Sequence, residues 1–303
     1  MRDLSRLEAL AAAADVDVQF DAKLSSCTTY RIGGEADALV TVHSYQMLNH
    51  VIKVLMDIQM PWVVLGKGAN VLVSDDGYRG CVIRLGREFS RMQVEGNLIT
   101  AGAAVPLAKL VNETLTQRLS GLESCAGIPG TVGGAVSMDA GSRHEWIGRS
   151  VHDVVTYRPG VGMQRYERHQ IEWGYRWCSI PGDEIILEAT FELKPSTREA
   201  IANEMNRRMA RRRATQPIGK PCCGSVFRNP PDRSVGALIE DCGLKGYTVG
   251  GASVSNMHAN FVVNNGNATA IDVVQVMNHV HDEVKEHYGI DLTPEVKFLG
   301  FEG

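Results

Sequence analysis

The stretch Gly127-Ile128-Pro129-Gly130-Thr131-Val132-Gly133-Gly134-Ala135 places four glycines and a proline in nine residues. Glycine costs backbone entropy to order and proline removes a donor, so the segment makes a poor helix and a poor strand. It reads as an apolar loop that brings bare backbone close to something flat. A buried crossover loop is the structural alternative, and these residues alone leave both open. The 31 glycines of the 303-residue chain cluster in this manner instead of spreading. A second cluster, Gly66-Lys67-Gly68-Ala69-Asn70, lies between two apolar runs of strand type, Trp62-Val63-Val64-Leu65 and Val71-Leu72-Val73. It joins strand to strand. It lacks the third glycine and following helix of the Rossmann fingerprint, and the Gly-Lys-Ser/Thr end of a P-loop. Successive amides in such a loop form a nest for phosphate, while glycine–asparagine clusters also make ordinary turns. Two such loops in one β-rich region point to two arms of one pyrophosphate site, hence to a dinucleotide held without a Rossmann turn.

Composition narrows the class. The hydrophobic fraction is 44% and the charged fraction 22%, within the range of a globular chain with a real core. The length fits about two domains. Lys+Arg number 31 against 35 Asp+Glu, a net charge of −4. That excludes a globally basic nucleic-acid binder and an acidic disordered tail. No apolar run approaches the ~18 residues of a membrane span. Leu7 to Ala14, interrupted by Glu8, reads as a short amphipathic helix and not a signal peptide, so a cytoplasmic, reducing compartment is expected. The seven cysteines agree: the number is odd, no CxxC occurs, and they read as small core hydrophobes.

Periodicity supplies the organisation. Residues 36–65 read as a βαβ unit: the run Ala38 to Val42, Ser44 as N-cap, then Met47, Val51, Val54, Leu55 and Ile58 at helical spacing. Cys81 to Leu85 and Met92 to Val94 are strand-like, and Gly96-Asn97 turns a hairpin into Leu98 to Ala101. Pro106 sits at a first helical position, with the helix running to about Leu119 and stopped by Gly121. Val151 to Tyr157 and Glu184 to Leu193 are further strands. Pro195-Ser196-Thr197 opens an Arg-rich helix from Arg198 to about Arg213, and a domain boundary is placed at 195–200. The last helix starts at Thr269, paired with Asp272 as a capping box, and Gly289 ends it. Its expected apolar face is Ile271, Val274, Met277 and Val284. Glu295 to Leu299 form a final strand.

Several residues invite chemistry. Ser225, in Pro221-Cys222-Cys223-Gly224-Ser225-Val226-Phe227-Arg228-Asn229-Pro230, is a proton donor or a turn serine; Gly-x-Ser-x-Gly is absent, so it is no nucleophile elbow. Vicinal Cys222 and Cys223 sit in no electropositive pattern that would make them redox-active. Arg176, in Trp173-Gly174-Tyr175-Arg176, offers a fork for a carboxylate or a surface charge. Glu295 reads as a strand-edge charge. The run Arg207, Arg208, Arg211, Arg212 and Arg213 reads as a solvated helix face. His279 and His281, two apart on a helix, point to different faces, so no metal site is expected.

Taken in order, these segments resemble one family. They are Thr29-Tyr30-Arg31-Ile32-Gly33-Gly34, Gly66 to Asn70, Gly127 to Ala135, Tyr175-Arg176, Gly224 to Pro230, Gly243-Leu244-Lys245-Gly246, His258-Ala259-Asn260-Phe261 and Pro294-Glu295-Val296. The chain resembles the UDP-N-acetylenolpyruvoylglucosamine reductases (UDP-N-acetylmuramate dehydrogenases), flavin enzymes of bacterial cell-wall precursor synthesis, from about residue 24 to 301. The resemblance implies an α+β fold. An N-terminal helix and lead-in (1–24) would precede an FAD-binding domain of the vanillyl-alcohol-oxidase (PCMH) type in two subdomains (25–195). A substrate-binding domain (196–303) follows, its final strand returning toward the FAD site. Little chain separates Tyr175 from the strand at Glu184, so this resembles the shorter, second form of the family.

The resemblance also implies roles. Gly66, Lys67, Gly68, Ala69 and Asn70, with Gly127, Ile128, Pro129, Gly130, Thr131, Gly133, Gly134 and Ala135, would hold a non-covalent FAD. NADPH would deliver hydride to flavin N5, and the reduced flavin would pass it to the vinyl carbon of UDP-N-acetylglucosamine enolpyruvate. Arg176 and Glu295 would bind and polarise the substrate carboxylate, Glu295 acting only if protonated or hydrogen-bonded in the site. Ser225 would protonate the enolate carbon, which demands a relay and close placement because serine is a weak acid. Tyr175, Arg176, Asn229, Lys245 and His258 would bind substrate. A monomer without metal, nucleic acid or membrane span is expected. The family usually has Met-Asn-Ala-Gly after the second glycine loop; this chain has Met138-Asp139-Ala140-Gly141, then Ser142-Arg143-His144. The family's serine two residues after the arginine is here Cys178. A flavin oxidase of the same cofactor fold, acting on an alcohol with oxygen, is the alternative; it lacks support from a long substrate domain with covalent-flavin His or Cys signals.

Overall fold

The computed structural model describes residues 5–142 and 144–301; Arg143 and the start of the 1–24 lead-in lie outside the described residues. The chain forms two compact units. One comprises Met1–Phe20, Ala38–Lys67 and Gly80–Ala210; the other comprises Asp21–Asp37, Gly68–Arg79 and Arg211–Gly303.

The first helix, α1 (Ser5–Leu10), is shorter than the expected Leu7 to Ala14. Leu7 and Leu10 are buried, but Ala11, Ala12 and Ala14 are exposed and bury nothing that would extend it. Next come β1 (Val16–Lys23), β2 (Glu35–Val42), α2 (Tyr45–Asp57), β3 (Trp62–Val64), β4 (Val71–Val73) and β5 (Tyr78–Leu85). Ser44 caps α2, its hydroxyl accepting from the Met47 amide at 3.2 Å, and Leu48, Val51, Ile52 and Leu55 form the buried stripe. The expected βαβ unit is modified. The sheet order is β1-β2-β5-β3, so β5 lies between β2 and β3 and pairs with β3 in parallel. Cys81, Val82 and Ile83 of β5 are fully buried, which suits a central strand.

The hairpin β6 (Met92–Glu95) and β7 (Leu98–Gly102) forms as expected, with Gly96 at φ 62°. Helix α3 (Leu107–Gln117) corrects two expectations. Pro106 is its N-cap in an extended conformation, not its first helical residue, and Arg118 in the left-handed region ends it before Gly121. Leu119-Ser120 leaves the helical path to form β8, which pairs with Lys194-Pro195. The glycine-rich loop also contains a short helix, α4 (Val132–Ser137). Distant backbone makes this possible: the Val132 amide donates to the Val105 carbonyl and the Gly133 amide to the Ala103 carbonyl, both at 2.9 Å.

Strands β9 (Val151–Arg158), β10 (Gly162–Glu167), β11 (Trp173–Gly174), β12 (Trp177–Cys178), β13 (Ile185–Glu192) and β14 (Lys194–Pro195) follow. Three of them join the β6–β7 hairpin in a five-stranded antiparallel sheet, β10-β9-β13-β7-β6, whose core includes Ile99, Leu110, Val132, Val154, Ala189 and Phe191. Helix α5 (Arg198–Thr215) runs slightly past the expected Arg213. Glu204 pairs with Arg207 and Arg208, and Arg208 with Glu145; Arg207, Arg211 and Arg213 are exposed as expected, whereas Arg208 and Arg212 are half-buried.

The second unit contains α6 (Val235–Asp241), β15 (Thr248–Val249), β16 (Ala252–Val254), β17 (Val262–Asn264), α7 (Ala270–Tyr288) and β18 (Lys297–Leu299). Strand β18 begins two residues later than expected and pairs in parallel with β4. The Thr269–Asp272 capping box and the Gly289 terminus of α7 are both present. Its buried face is Ala270, Val273, Val276, Met277, Val280 and Val284; Ile271 is 53% exposed. Of the expected face, Met277 and Val284 are buried and Val274 is half-buried against the same core, so Ile271 is the one misplaced position. Asp75 adds an unexpected cap, its carboxylate accepting from the Ala270 and Ile271 amides at 2.8 and 3.1 Å. Asp75→Ala leaves two first-turn donors without that partner, so a loss of about 1–2 kcal/mol is expected from urea unfolding. An unmoved midpoint would mean water serves α7 equally well.

Candidate active site

Gly66 and the second glycine loop meet within the first unit. A Cβ on Gly66 would lie 2.5 Å from Thr131 Oγ1, so glycine is required for this approach. On the other side the loop is open. A Cβ on Gly130 would meet nothing within 4 Å, and one on Gly134 only Thr131 Oγ1 at 3.6 Å. Gly127, Pro129 and Gly134 are exposed, Ile128 and Gly130 half-buried, and Ala135 buried beneath them. Bare backbone is thus presented on a surface anchored from below by Val132 and Val136. This suits close approach by a flat, phosphate-bearing cofactor, so these residues fit FAD. Lys67 is exposed beside Gly66.

Tyr175 and Arg176 form the two-residue turn of the β11–β12 hairpin, whose register pairs Trp173 with Cys178 and Gly174 with Trp177. Arg176 adopts φ 62°, a strained choice for a side chain with a Cβ. Three ties hold the hairpin to residues 137–148. Arg176 Nη1 donates to the Gly141 carbonyl at 3.0 Å, Cys178 Sγ donates to the Ser137 carbonyl at 3.7 Å, and the Trp173 ring lies against Gly148. The Tyr175 ring lies 5.2 Å from the Arg176 guanidinium carbon.

Glu295 and the Ser225 segment meet in the second unit. Gly224 takes φ 84° and turns the chain so that Ser225 precedes an extended pair, Val226 and Phe227. Asn260, 1% exposed, clamps that pair. Its carbonyl accepts from the Val226 amide at 2.9 Å, its Oδ1 from the Phe227 amide at 3.0 Å, and its Nδ2 donates to the Phe227 carbonyl at 2.8 Å. On the far edge the Glu295 amide donates to the Val226 carbonyl at 2.8 Å. Asn70 Nδ2 in turn donates to the Glu295 carbonyl at 3.0 Å. Ser225 is half-buried and the Glu295 side chain is buried. Asn70 therefore supports Glu295, and Gly68 is pinned against Cys27, whose carbonyl a Cβ would meet at 2.5 Å. Ala69 is half-buried between them.

The remaining substrate candidates also lie in this unit. Asn229 accepts from the Val235 amide at 2.9 Å, fixing the start of α6. Lys245 pairs with Glu240 at 2.5 Å. His258 is pushed to lower pKa by burial and by the nearby Lys245 charge, and its Nδ1 accepts from the Asn260 amide at 3.2 Å, so it is neutral near pH 7. Arg228 is a residue the sequence reading passed over. Its buried Nε–H meets no acceptor among the described residues, and an arginine next to Asn229 was the available signal. Cys222 and Cys223 are both pushed up by burial, which keeps them as thiols at neutral pH. All seven cysteines are free. His279 stacks on Tyr247 at 4.1 Å, while His281 meets Asp282 and Asp291. Among the described residues no cluster of three His, Cys, Asp or Glu could hold a metal. No described helix is long and apolar enough to cross a membrane.

Comparison with known proteins covers both halves of this arrangement. Residues 36–158 match the family pattern of an FAD binding domain, and residues 216–299 that of the UDP-N-acetylenolpyruvoylglucosamine reductase C-terminal domain. A UDP-N-acetylenolpyruvoylglucosamine reductase of Halalkalibacterium halodurans is 39% identical over 295 residues, 97% of this chain and 98% of that protein. One from Synechocystis is 42% identical over 289 residues, covering 93% and 91%. The crystal structure of the reductase from Thermus caldophilus superposes with a TM-score of 0.83 at 34% identity, over 94% of this chain and 98% of that one. The fold is α+β, with an FAD-binding domain of the vanillyl-alcohol-oxidase type and a C-terminal α+β domain. With likeness at this level running nearly end to end, and with both glycine loops, the arginine turn and the Ser225 clamp in place, the chain belongs to the UDP-N-acetylenolpyruvoylglucosamine reductase family.

Proposed function

We propose that this protein reduces UDP-N-acetylglucosamine enolpyruvate to UDP-N-acetylmuramate with NADPH, as a cytoplasmic, monomeric enzyme of peptidoglycan precursor synthesis. What supports the reading is the clamp next to Ser225: Val226 and Phe227 are held by Asn260 and by the Glu295 amide, so the segment bearing the candidate acid and the backbone of the candidate carboxylate share one support. The functional division is a lead-in (1–24), an FAD-binding part (25–195) and a substrate-binding part (196–303), of the family's shorter second type.

Gly66 to Asn70 and Gly127 to Ala135 would hold FAD through backbone amides at positions where side chains are missing. The chemistry a bound flavin supplies is hydride relay, from NADPH through N5 to the vinyl carbon of the enolpyruvyl ether. Reduction at that carbon develops enolate charge on the neighbouring carboxylate. Arg176 takes up the charge with a fork that matches two oxygens. Glu295, buried and held by its backbone, would contribute by hydrogen bonding to the same carboxylate. Ser225 would donate its proton to the enolate carbon, where close placement has to offset the weak acidity of a hydroxyl. Tyr175, Asn229, Lys245 and His258 would bind the substrate, and the unfilled Arg228 Nε–H is a ready donor for the substrate's diphosphate.

The test is the visible spectrum under anaerobic conditions, with NADPH added first and enolpyruvyl substrate second. Bleaching of the flavin band followed by its recovery is expected. Bleaching without recovery would remove the substrate, and a protein that stays colourless with added FAD would remove the cofactor.

A further inference from the structure

The turn that receives Arg176 is itself held from α5, and no role described above uses that hold. Arg176 donates through Nη1 to the Gly141 carbonyl at 3.0 Å. Gly141 bridges antiparallel to Trp146, and the Ser142 amide donates to the Glu145 carbonyl at 2.7 Å. The Ser142 hydroxyl accepts from the Glu145 amide at 3.3 Å. A Cβ on Gly141 would lie 2.3 Å from the Glu145 carbonyl oxygen and 2.5 Å from Trp146 Cα, so the two arms of the turn touch without slack. The Glu145 carboxylate reaches α5, where it meets Arg208 Nη2. Arg208 is oriented by a second acid: its Nε donates to Glu204, one helical turn earlier, at 2.5 Å. Met205 and Met209, four apart on α5, pack against the core of the first unit and seat the helix. Arg208 stands beside that stripe with its side chain only 21% exposed. All of these residues lie within the first unit.

We propose that Arg208 is a positioning residue for Arg176: its ion pair with Glu145 fixes the turn whose Gly141 carbonyl holds the Arg176 guanidinium. The inference rests on the role of Arg176 in the function proposed above. The contacts are continuous, from Arg208 to the Glu145 carboxylate, from the Glu145 backbone to Ser142 and Gly141, and from Gly141 to Arg176. A planar guanidinium with Nε and Nη2 committed to two carboxylates has one orientation, so it anchors the turn in direction as well as distance. Without it the half-exposed Glu145 carboxylate turns to water and the turn loses its tie to α5. Arg176 depends on such an anchor. Its φ of 62° is unfavourable for a residue with a Cβ, so the hairpin tip is held by its contacts and not by its own preference.

Arg208→Met keeps an apolar stem and removes the charge, and Glu145→Gln keeps the shape of the partner. In stopped-flow measurements of flavin reoxidation by the enolpyruvyl substrate, each variant is expected to raise the half-saturating substrate concentration about three- to fivefold, the worth of a partly exposed ion pair. The two changes combined should do no more than either alone. In an Arg176→Ala background, Arg208→Met should have no further effect, and on its own it should leave reduction by NADPH unchanged. A loss that multiplies with Arg176→Ala, or equal slowing of both half-reactions, would overturn the proposal. A lowered melting temperature with an unmoved half-saturation would do so too, because it leaves Arg208 a structural role alone. A second measurement does not need turnover. Solvent exchange of the Arg176 guanidinium protons, followed by nitrogen-15 NMR of labelled arginine, should quicken in Arg208→Met as the Gly141 hydrogen bond loosens. Unchanged exchange would overturn the link. If wild-type flavin were never reoxidised by the substrate, the proposed function would fall while the exchange measurement still decided whether Arg208 positions Arg176.

Discussion

Ser225→Ala is expected to slow reoxidation of the reduced flavin by substrate by ~10²–10⁴-fold, the range of a lost general acid. Reduction of the flavin by NADPH should be unchanged. The separation follows from where Ser225 sits. The backbone after it is locked by Asn260 on one side and Glu295 on the other, and none of those bonds uses the serine hydroxyl. The variant therefore keeps its loop and loses one proton donor. Rapid-mixing measurement of each half-reaction decides the matter. Equal slowing of both would remove Ser225 from proton transfer.

Asn260→Ala should produce the largest loss of stability among the site variants. The side chain is buried and closes two hydrogen bonds with Phe227, one accepted from its amide and one donated to its carbonyl. Truncation strands both backbone groups next to an apolar core of Val226, Phe227, Ala259 and Val262. At about 1–3 kcal/mol for each buried group left unsatisfied, a loss of roughly 2–6 kcal/mol is expected. Urea unfolding monitored by far-ultraviolet circular dichroism measures it. A loss below about 1 kcal/mol would mean that water enters and replaces the amide. Activity should fall as well, because the same clamp holds the Ser225 segment.

What could be read from the sequence was what neighbours in the chain decide. Ser44, Thr269 with Asp272, and Gly289 mark helix ends through contacts within a few residues, and all four do so in the structure. The hairpin at Gly96-Asn97 is equally local. The errors arose where distant atoms decide. Val132 to Ser137 is helical because the carbonyls of Val105 and Ala103 accept its first amides, and nothing in the glycine-rich run announces them. Arg118 ends α3 because Leu119 is drawn to Lys194-Pro195. Ile271 looked like a core residue by spacing, yet the face chosen by the second unit's core is the valine face beside it. In the site, residue types with a charge or a hydroxyl were visible as candidates. Their supports were not. Asn260, Asp75 and Asp139 are ordinary polar residues until folding brings Phe227, α7 and Gly148 to them.

The second unit gathers Asp21–Asp37 and Gly68–Arg79 with Arg211–Gly303, and β4 finds its parallel partner in β18, more than two hundred residues later in the chain. This has a consequence for biosynthesis. A ribosome delivers the early segments more than a hundred residues ahead of the sequence they pack with. At typical elongation rates that is a wait of ~10–30 s. During it Tyr30, Ile32 and Leu72, which end up fully or almost fully buried, have no completed core to enter. The nascent chain thus carries apolar surface that no N-terminal fragment can bury. Translation arrested before β18 would leave β4 without its partner strand and expose the product to chaperones and proteases.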